Sequence, residues 1–384
     1  MPTLPVSITI RNADRLQHAA VTRLQLYVAG QVQALLYPFQ AWLTREVRDA
    51  GDAYGIADAG KLAGVLQAAD PRWRAVISDY VALLTRARQQ AGAIAFGPYR
   101  LRHNRYITAP VERLQEAFVP TMDDLGKLAE MWLRRRNYAL QVAQQRVYGD
   151  GLNLSQRIWR LEQGGMQTIR NTIATGMAQR TSALELAQQL EGQLNAGQDW
   201  PRWTRARLSK MDARERAQDA KGLLRSARDV PPGGSSGISY NALRLARNEI
   251  QIANHAVTSD IAIHSPWVTG RKVVLSPAHP KSDICDDYAA GGPYEKTANF
   301  LPLHPQCLCR WEEVLMPPAD FTKQMRGWVT GENDFLDDYS SWLGQRSFSP
   351  IPEPLSVAAA QELFEAMQMW LDGNVDAMAT VLKV

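Results

Sequence analysis

The sequence predicts a mainly α fold, an elongated multi-helix protein with a small α+β cysteine-containing module. Three observations carry this. Apolar residues recur at spacings of three and four over most of the chain, which is the period of an amphipathic helix. Two short runs rich in β-formers, WVTGRKVVL at 267–275 and CRWEEVL at 309–315, bracket one segment. That segment, 276–311, holds all three cysteines, Cys285, Cys307 and Cys309, together with His279 and His304.

The elements follow in order. Residues 12–48 place Leu16, Leu24, Val28, Val32, Leu35 and Leu36 at helical spacing, with a kink expected at Pro38. A second helix follows Asp70 and Pro71, with Trp73, Val76, Ile77, Tyr80, Val81 and Leu84 on its apolar side. The alternation in YRLRHNRYI predicts a short hairpin near 99–107. Helix resumes near Pro110, breaks near Pro120, and ends before Gly149 and Gly151. Ser182 and Glu185 have capping-box spacing, so a helix should start there and bury Leu184, Ala187 and Leu190. PPGGSSG at 231–237 reads as a linker, with flexibility and no core. Beyond it, 240–264 is a helix with Leu243, Ala246, Ile250, Ala253, Val257 and Ile261 on one face. The two β-rich runs are expected to pair antiparallel and draw the cysteine segments together. A final amphipathic helix from Ser356 presents Leu363, Phe364, Met367, Trp370 and Leu371. The expected divisions are a helical region at 1–150, a partly basic helical segment at 151–230, the linker at 231–237, the α+β module at 238–316 and an extension at 317–384.

Composition narrows the class. The chain has 384 residues, of which 45% are hydrophobic and 21% charged, and this composition excludes wholesale disorder. A net charge of +4 permits contact with nucleic acid without specifying it. Three cysteines, an odd number in a long chain, argue against a disulfide scaffold and for a reducing compartment. The first residues, MPTLPVSITIRNADR, lack the basic and apolar regions of a secretory signal. Residues 24–43 are uncharged but carry Gln25, Gln31, Gln33, Gln40 and Pro38, so a buried or amphipathic helix is expected there and no membrane contact.

The cysteine segment supports two readings. Zinc takes four Cys or His ligands in a tetrahedron, and its binding would fix a region with little core. Cys307 and Cys309, two apart on extended chain, direct their sulfurs to one side. Cys285 supplies a third thiolate and His304 the fourth ligand, with His279 or Asp283 as substitutes. The other reading makes the cysteines small buried apolar groups and His304-Pro305 a turn. Asp283, Asp286 and Asp287 could instead hold a divalent ion for nuclease chemistry, or form a solvated loop. Arg247 and Glu249 read either as transferase groups or as a buried pair anchoring their helix to the cysteine block.

A basic run begins at Trp200 and Trp203. Arg202, Arg205, Arg207, Lys210 and Arg214 are its candidate phosphate contacts. Interleaved acids such as Glu215 and Asp219 fit a solvated helix face equally.

Three blocks resemble one family: LSQRIW leading to GMAQRTSALELAQQL, LARNEI at 245–250, and the Asp-x-Cys at 283–285, Gly-rich turn and closing His-Pro-x-Cys-x-Cys of the cysteine segment. This pattern is similar to the Mu F-like minor head proteins of tailed phages, the head morphogenesis family. Asn248 stands where that family more often has threonine. The resemblance spans roughly 154–311 and implies a structural protein rather than an enzyme. It implies a few copies at the portal vertex or head interior of a virion assembled in the host cytoplasm. Its partners would be the portal protein, capsid or scaffold proteins and packaged DNA, and its role would be virion assembly or DNA ejection. The alternatives are a metal-dependent DNA-processing enzyme and a DNA-binding packaging accessory.

Overall fold

The computed structural model describes residues 10–103, 105–106, 122–147, 151–194, 238–276, 283–304 and 307–344. Nine helices and two strands are found among them: α1 (Ile10–Asp49), α2 (Ala59–His103), α3 (Met122–Gln144), α4 (Leu154–Ala178), α5 (Ala183–Leu194), α6 (Ile238–His264), β1 (Val268–Val274), α7 (Ile284–Ala290), β2 (Arg310–Leu315), α8 (Pro318–Val329) and α9 (Asp337–Gly344). The fold is mainly α, with one two-stranded antiparallel sheet. No described helix is long and apolar enough to cross a membrane. The 231–237 linker, the basic run at 202–228 and the helix expected from Ser356 lie outside the described residues.

The chain groups into two compact units, each discontinuous in sequence. One contains the described residues of Met1–Thr22, Arg88–Ala143 and Ile250–Val384; the other contains those of Arg23–Ala87 and Gln144–Glu249. Their limits fall inside α1, α2 and α6 rather than at successive segment boundaries. The lengths explain this. A 45-residue helix such as α2 runs roughly 65–70 Å, longer than a unit of this size.

The hairpin expected at 99–107 is absent, because Tyr99 to His103 form the last turn of α2 and residues 105–106 continue as a helical turn. The residues that alternate also have helical spacing. Tyr99, Arg102, His103 and Tyr106 fall at i, i+3, i+4 and i+7 and are all buried, while Arg105 is exposed. The second helix also begins earlier than expected, at Ala59, and runs through Pro71.

In the Arg23–Ala87 and Gln144–Glu249 unit, Trp73 organises the core. It is fully buried, packs on Phe39 with ring centroids 5.3 Å apart, and donates its indole N–H to the Glu162 carbonyl at 2.9 Å. Ser182 caps α5 as expected, its hydroxyl accepting the Glu185 N–H at 3.2 Å. The buried face of α5 is Ala183, Leu186, Ala187, Leu190 and Leu194, and Leu184 is 56% exposed. One residue off the stripe, at 100° per residue, turns Leu184 away from it.

Adjacent glycines in α4 give a matched test of packing. A Cβ at Gly165 would lie 2.6 Å from the Trp73 ring, whereas one at Gly164 meets nothing within 4 Å. Gly164→Ala should stabilise by about 0.5–1 kcal/mol through helix propensity. Gly165→Ala should instead destabilise, because an overpacking cost of about 1–3 kcal/mol outweighs the same propensity gain where Trp73 is pinned. Urea unfolding of the two variants checks the opposite signs.

The other unit is built around an aromatic nest. Trp267, fully buried, stacks on Tyr106 and meets Tyr99, His103 and Tyr339, while the Tyr99 and Tyr339 hydroxyls share a hydrogen bond of 2.6 Å. Burial pushes the His103 imidazole down to about 4. A depressed folded value means the stability is complete above the unfolded value near 6.5 and is lost as pH falls toward 4. The full difference is about 3 kcal/mol, at 1.36 kcal/mol per unit. Wild type should therefore lose stability between pH 6.5 and 4 more steeply than His103→Gln, as measured by denaturant unfolding across that window.

Beside the nest, Arg102 is buried between two carboxylates. It bonds Asp14 at 2.6 Å and also Glu313 on β2. Burial alone would lower the Arg102 value, but Glu313 and Asp14 together hold it above the ordinary one.

Candidate metal centre

The sheet supplies the frame. β1 and β2 pair in the register Val273↔Trp311 and Lys272↔Glu312, with an irregularity between Val268 and Gly270. Tyr294 adds a bridge to Arg271, its carbonyl accepting the Arg271 N–H at 2.8 Å and its N–H donating back at 2.7 Å. Arg271 is fully buried. Its guanidinium lies 4.3 Å from the Trp311 ring and donates to the Ser259 hydroxyl at 2.9 Å and the Ala298 carbonyl at 2.8 Å. One side chain thus ties α6, β1, β2 and the 291–304 loop, which contains cis peptide bonds before Pro293 and Pro302.

On this frame Val273, Cys285, Leu301, Cys307, Cys309 and Trp311 form a small core, flanked by Tyr288, Tyr294 and Phe300. Cys285 is positioned by the start of α7. There the Asp283 side chain caps the helix, accepting the Cys285 N–H at 2.7 Å, and the Asp286 carboxylate accepts the Asp283 N–H at 2.8 Å. A turn closed by the Cys307 N–H on the His304 carbonyl, 3.1 Å, positions the other two groups.

Three of the expected ligands meet. The Cys285 sulfur is 3.2 Å from His304 Nε2 and 3.7 Å from the Cys307 sulfur, and the three ligand atoms all lie within 4.8 Å of one another. Both sulfurs are buried and the imidazole partly so. This Cys285, His304 and Cys307 cluster could hold a metal ion. Cys309 is buried and its thiol hydrogen-bonds that of Cys307, but it does not join the mutually close set. Asp283 reaches His304 Nε2 at 3.3 Å with a side chain 38% exposed. His279 lies outside the described residues, as do Arg202, Arg205, Arg207, Lys210 and Arg214.

The thiols do not ionise independently. Hydrogen bonding from Cys309 brings Cys307 down to about 5, while burial and the nearby Cys307 charge push Cys285 up to about 12. The Cys309 thiol is raised by its hydrogen bond to Cys307 and by burial. One negative charge is favoured in the cluster and a second is resisted, which is the electrostatic condition a divalent cation relieves.

The remaining candidates sort by their partners. Asp283 and Asp286 are engaged in the α7 capping box, and Asp287 lies in the first turn of that helix. Arg247 and Glu249 are buried in the unit that does not contain the cysteine block, where Tyr80 and Arg146 feel the Glu249 charge. Sequence reasoning missed Arg271, the side chain that fixes the frame. Its sole signal was a charged residue inside a β-rich run.

The chain is thus a mainly α protein with a Cys/His cluster set in a small α+β module. No protein-family model, curated protein or solved structure matches it.

Proposed function

We propose that this chain is a structural minor head protein of a tailed phage or prophage, bound near the portal vertex, in which zinc cross-links the cysteine module. The observation that carries the reading is the convergence of Cys285, His304 and Cys307, from the two ends of the block that resembles the Mu F-like proteins. Thiolate and imidazole are the donors zinc favours, and Cys309 is the fourth ligand at hand. With four protein ligands the coordination shell is closed, which suits a structural cross-link and leaves no position for a reacting water.

The partners are the portal protein and, around it, capsid or scaffold proteins and packaged DNA. Co-expression with a portal protein from the same phage or prophage, followed by native mass spectrometry, tests the assignment. A defined number of copies on the portal ring is the expected result. A chain that stays free of the portal, yet cleaves DNA with added Mg²⁺, Mn²⁺ or Zn²⁺, would replace it with the DNA-processing reading.

A further inference from the structure

The three thiols of the module are free, and they differ in their neighbours. The Cys285 sulfur lies 3.7 Å from that of Cys307, although the two residues are 22 apart in the chain. Cys309 hydrogen-bonds Cys307 but stands outside the mutually close set. A disulfide holds its sulfurs about 2.0 Å apart, so Cys285 and Cys307 need a shift the size of a side-chain adjustment to join. Linking Cys307 to Cys309 is less favourable. On chain as extended as the strand that follows, residues two apart have α carbons about 6.6 Å from each other, near the limit a disulfide spans.

The sulfurs are buried, but the groups against them are not wholly so. His304 Nε2 touches the Cys285 sulfur at 3.2 Å with 28% of its side chain exposed, and Asp283, 38% exposed, touches His304 in turn. That edge is the route for an oxidant as small as hydrogen peroxide.

We infer that Cys285 and Cys307 are a redox pair, which hydrogen peroxide joins as a disulfide with release of the metal. One thiolate attacks the peroxide, breaks its O–O bond and becomes a sulfenic acid, freeing hydroxide. The second thiolate attacks that sulfur, forms the S–S bond and frees another hydroxide. Two sulfurs are oxidised, one peroxide is reduced, and the hydroxides take up protons to leave as water. His304 and Cys309 are then the donors that remain, too few to hold zinc. The inference rests on the zinc reading of the module and not on the portal assignment. Passage from a reducing cytoplasm to an oxidising medium would operate the pair.

The new bond ties the start of α7 to the same segment that the metal held. Oxidation therefore differs from chelation, since zinc leaves while the core around Trp311 stays closed. Zinc-loaded full chain treated with peroxide tests this, with released zinc measured, remaining thiols alkylated and the linkage mapped by peptide mass spectrometry. One Cys285–Cys307 link per zinc released is expected, with Cys309 alkylated, tryptophan emission unshifted and zinc binding restored by dithiothreitol. A Cys307–Cys309 link, sulfinic acids without any link, zinc retained through oxidation, or a red shift equal to that of chelation would overturn it. A chain purified without zinc would instead remove the zinc reading, and the same map on that chain still decides whether Cys285 and Cys307 pair.

Discussion

Cys307→Ser is expected to release the metal and unfold the module that surrounds it. Purified wild-type chain should carry one zinc, measured by elemental analysis against protein concentration, and the variant should carry none. A structural zinc site contributes apparent binding energies of about 10 kcal/mol or more, and that energy is available to folding because the unfolded chain has no preformed site. The module has little else to replace it. Its core is six buried residues, three of them cysteines. Chelation of wild type should therefore expose Trp311, which is 4% exposed in the fold, and its fluorescence should shift to the red together with loss of metal. The fourth ligand can be read from a second pair. Cys309→Ser should weaken zinc binding by roughly a hundredfold or more, whereas Asp283→Asn, altering a cap and a contact to His304, should cost about ten- to a hundredfold at most. Retention of one tightly held zinc by Cys307→Ser would exclude the centre, and full retention by Cys309→Ser would exclude the four-ligand form.

Arg102→Met is the second large effect. It removes one guanidinium from between two carboxylates that are themselves little exposed, with Asp14 at 15% and Glu313 at 6% of the side chain. Breaking a buried pair costs about 3–5 kcal/mol, because the surviving charges stay desolvated. Burial raises the Glu313 carboxyl above its usual value even with Arg102 beside it, so the variant should shed part of the cost by protonating Glu313. Two measurements follow from that. Denaturant unfolding at neutral pH should show a loss of about 3–5 kcal/mol, and the deficit should shrink as pH falls toward the carboxyl range. Glu313→Gln in the Arg102→Met background should restore part of the loss at neutral pH. A variant as stable as wild type would show that the triad contributes nothing net.

Much of the module was legible in the sequence. Two β-formers' runs at 267–275 and 309–315 became an antiparallel pair, and three of the four expected ligands met, because strand pairing and a capped helix start are local devices with local signals. The helices were legible as periodicity, yet their ends were not. Tyr99, Arg102, His103 and Tyr106 satisfy both a two-residue alternation and a helical stripe, and burial on one face decides between them. α6 shows another limit. Its apolar face was expected, but residues 245–255 are buried all round, including Arg247, Asn248, Gln251 and His255. Polar residues buried by tertiary packing look solvent-facing in sequence, so their burial had no one-dimensional signature. Arg102 was equally hidden, since its partners lie 88 and 211 residues away.

Those separations bear on the order in which the protein is made. Residues 10–22 leave the ribosome well before residue 250, yet they share a compact unit with Ile250 onward, and Gln17 finds its hydrogen-bond partner 237 residues later, in Asn254. At about 5–20 residues per second, the earliest part of α1 waits on the order of ten seconds or more for that surface. During synthesis the unit formed from Arg23–Ala87 and Gln144–Glu249 is the first whose segments are all available. A nascent chain stalled before residue 250 should thus resist protease at α4 and α5 while remaining cleavable in the first two turns of α1.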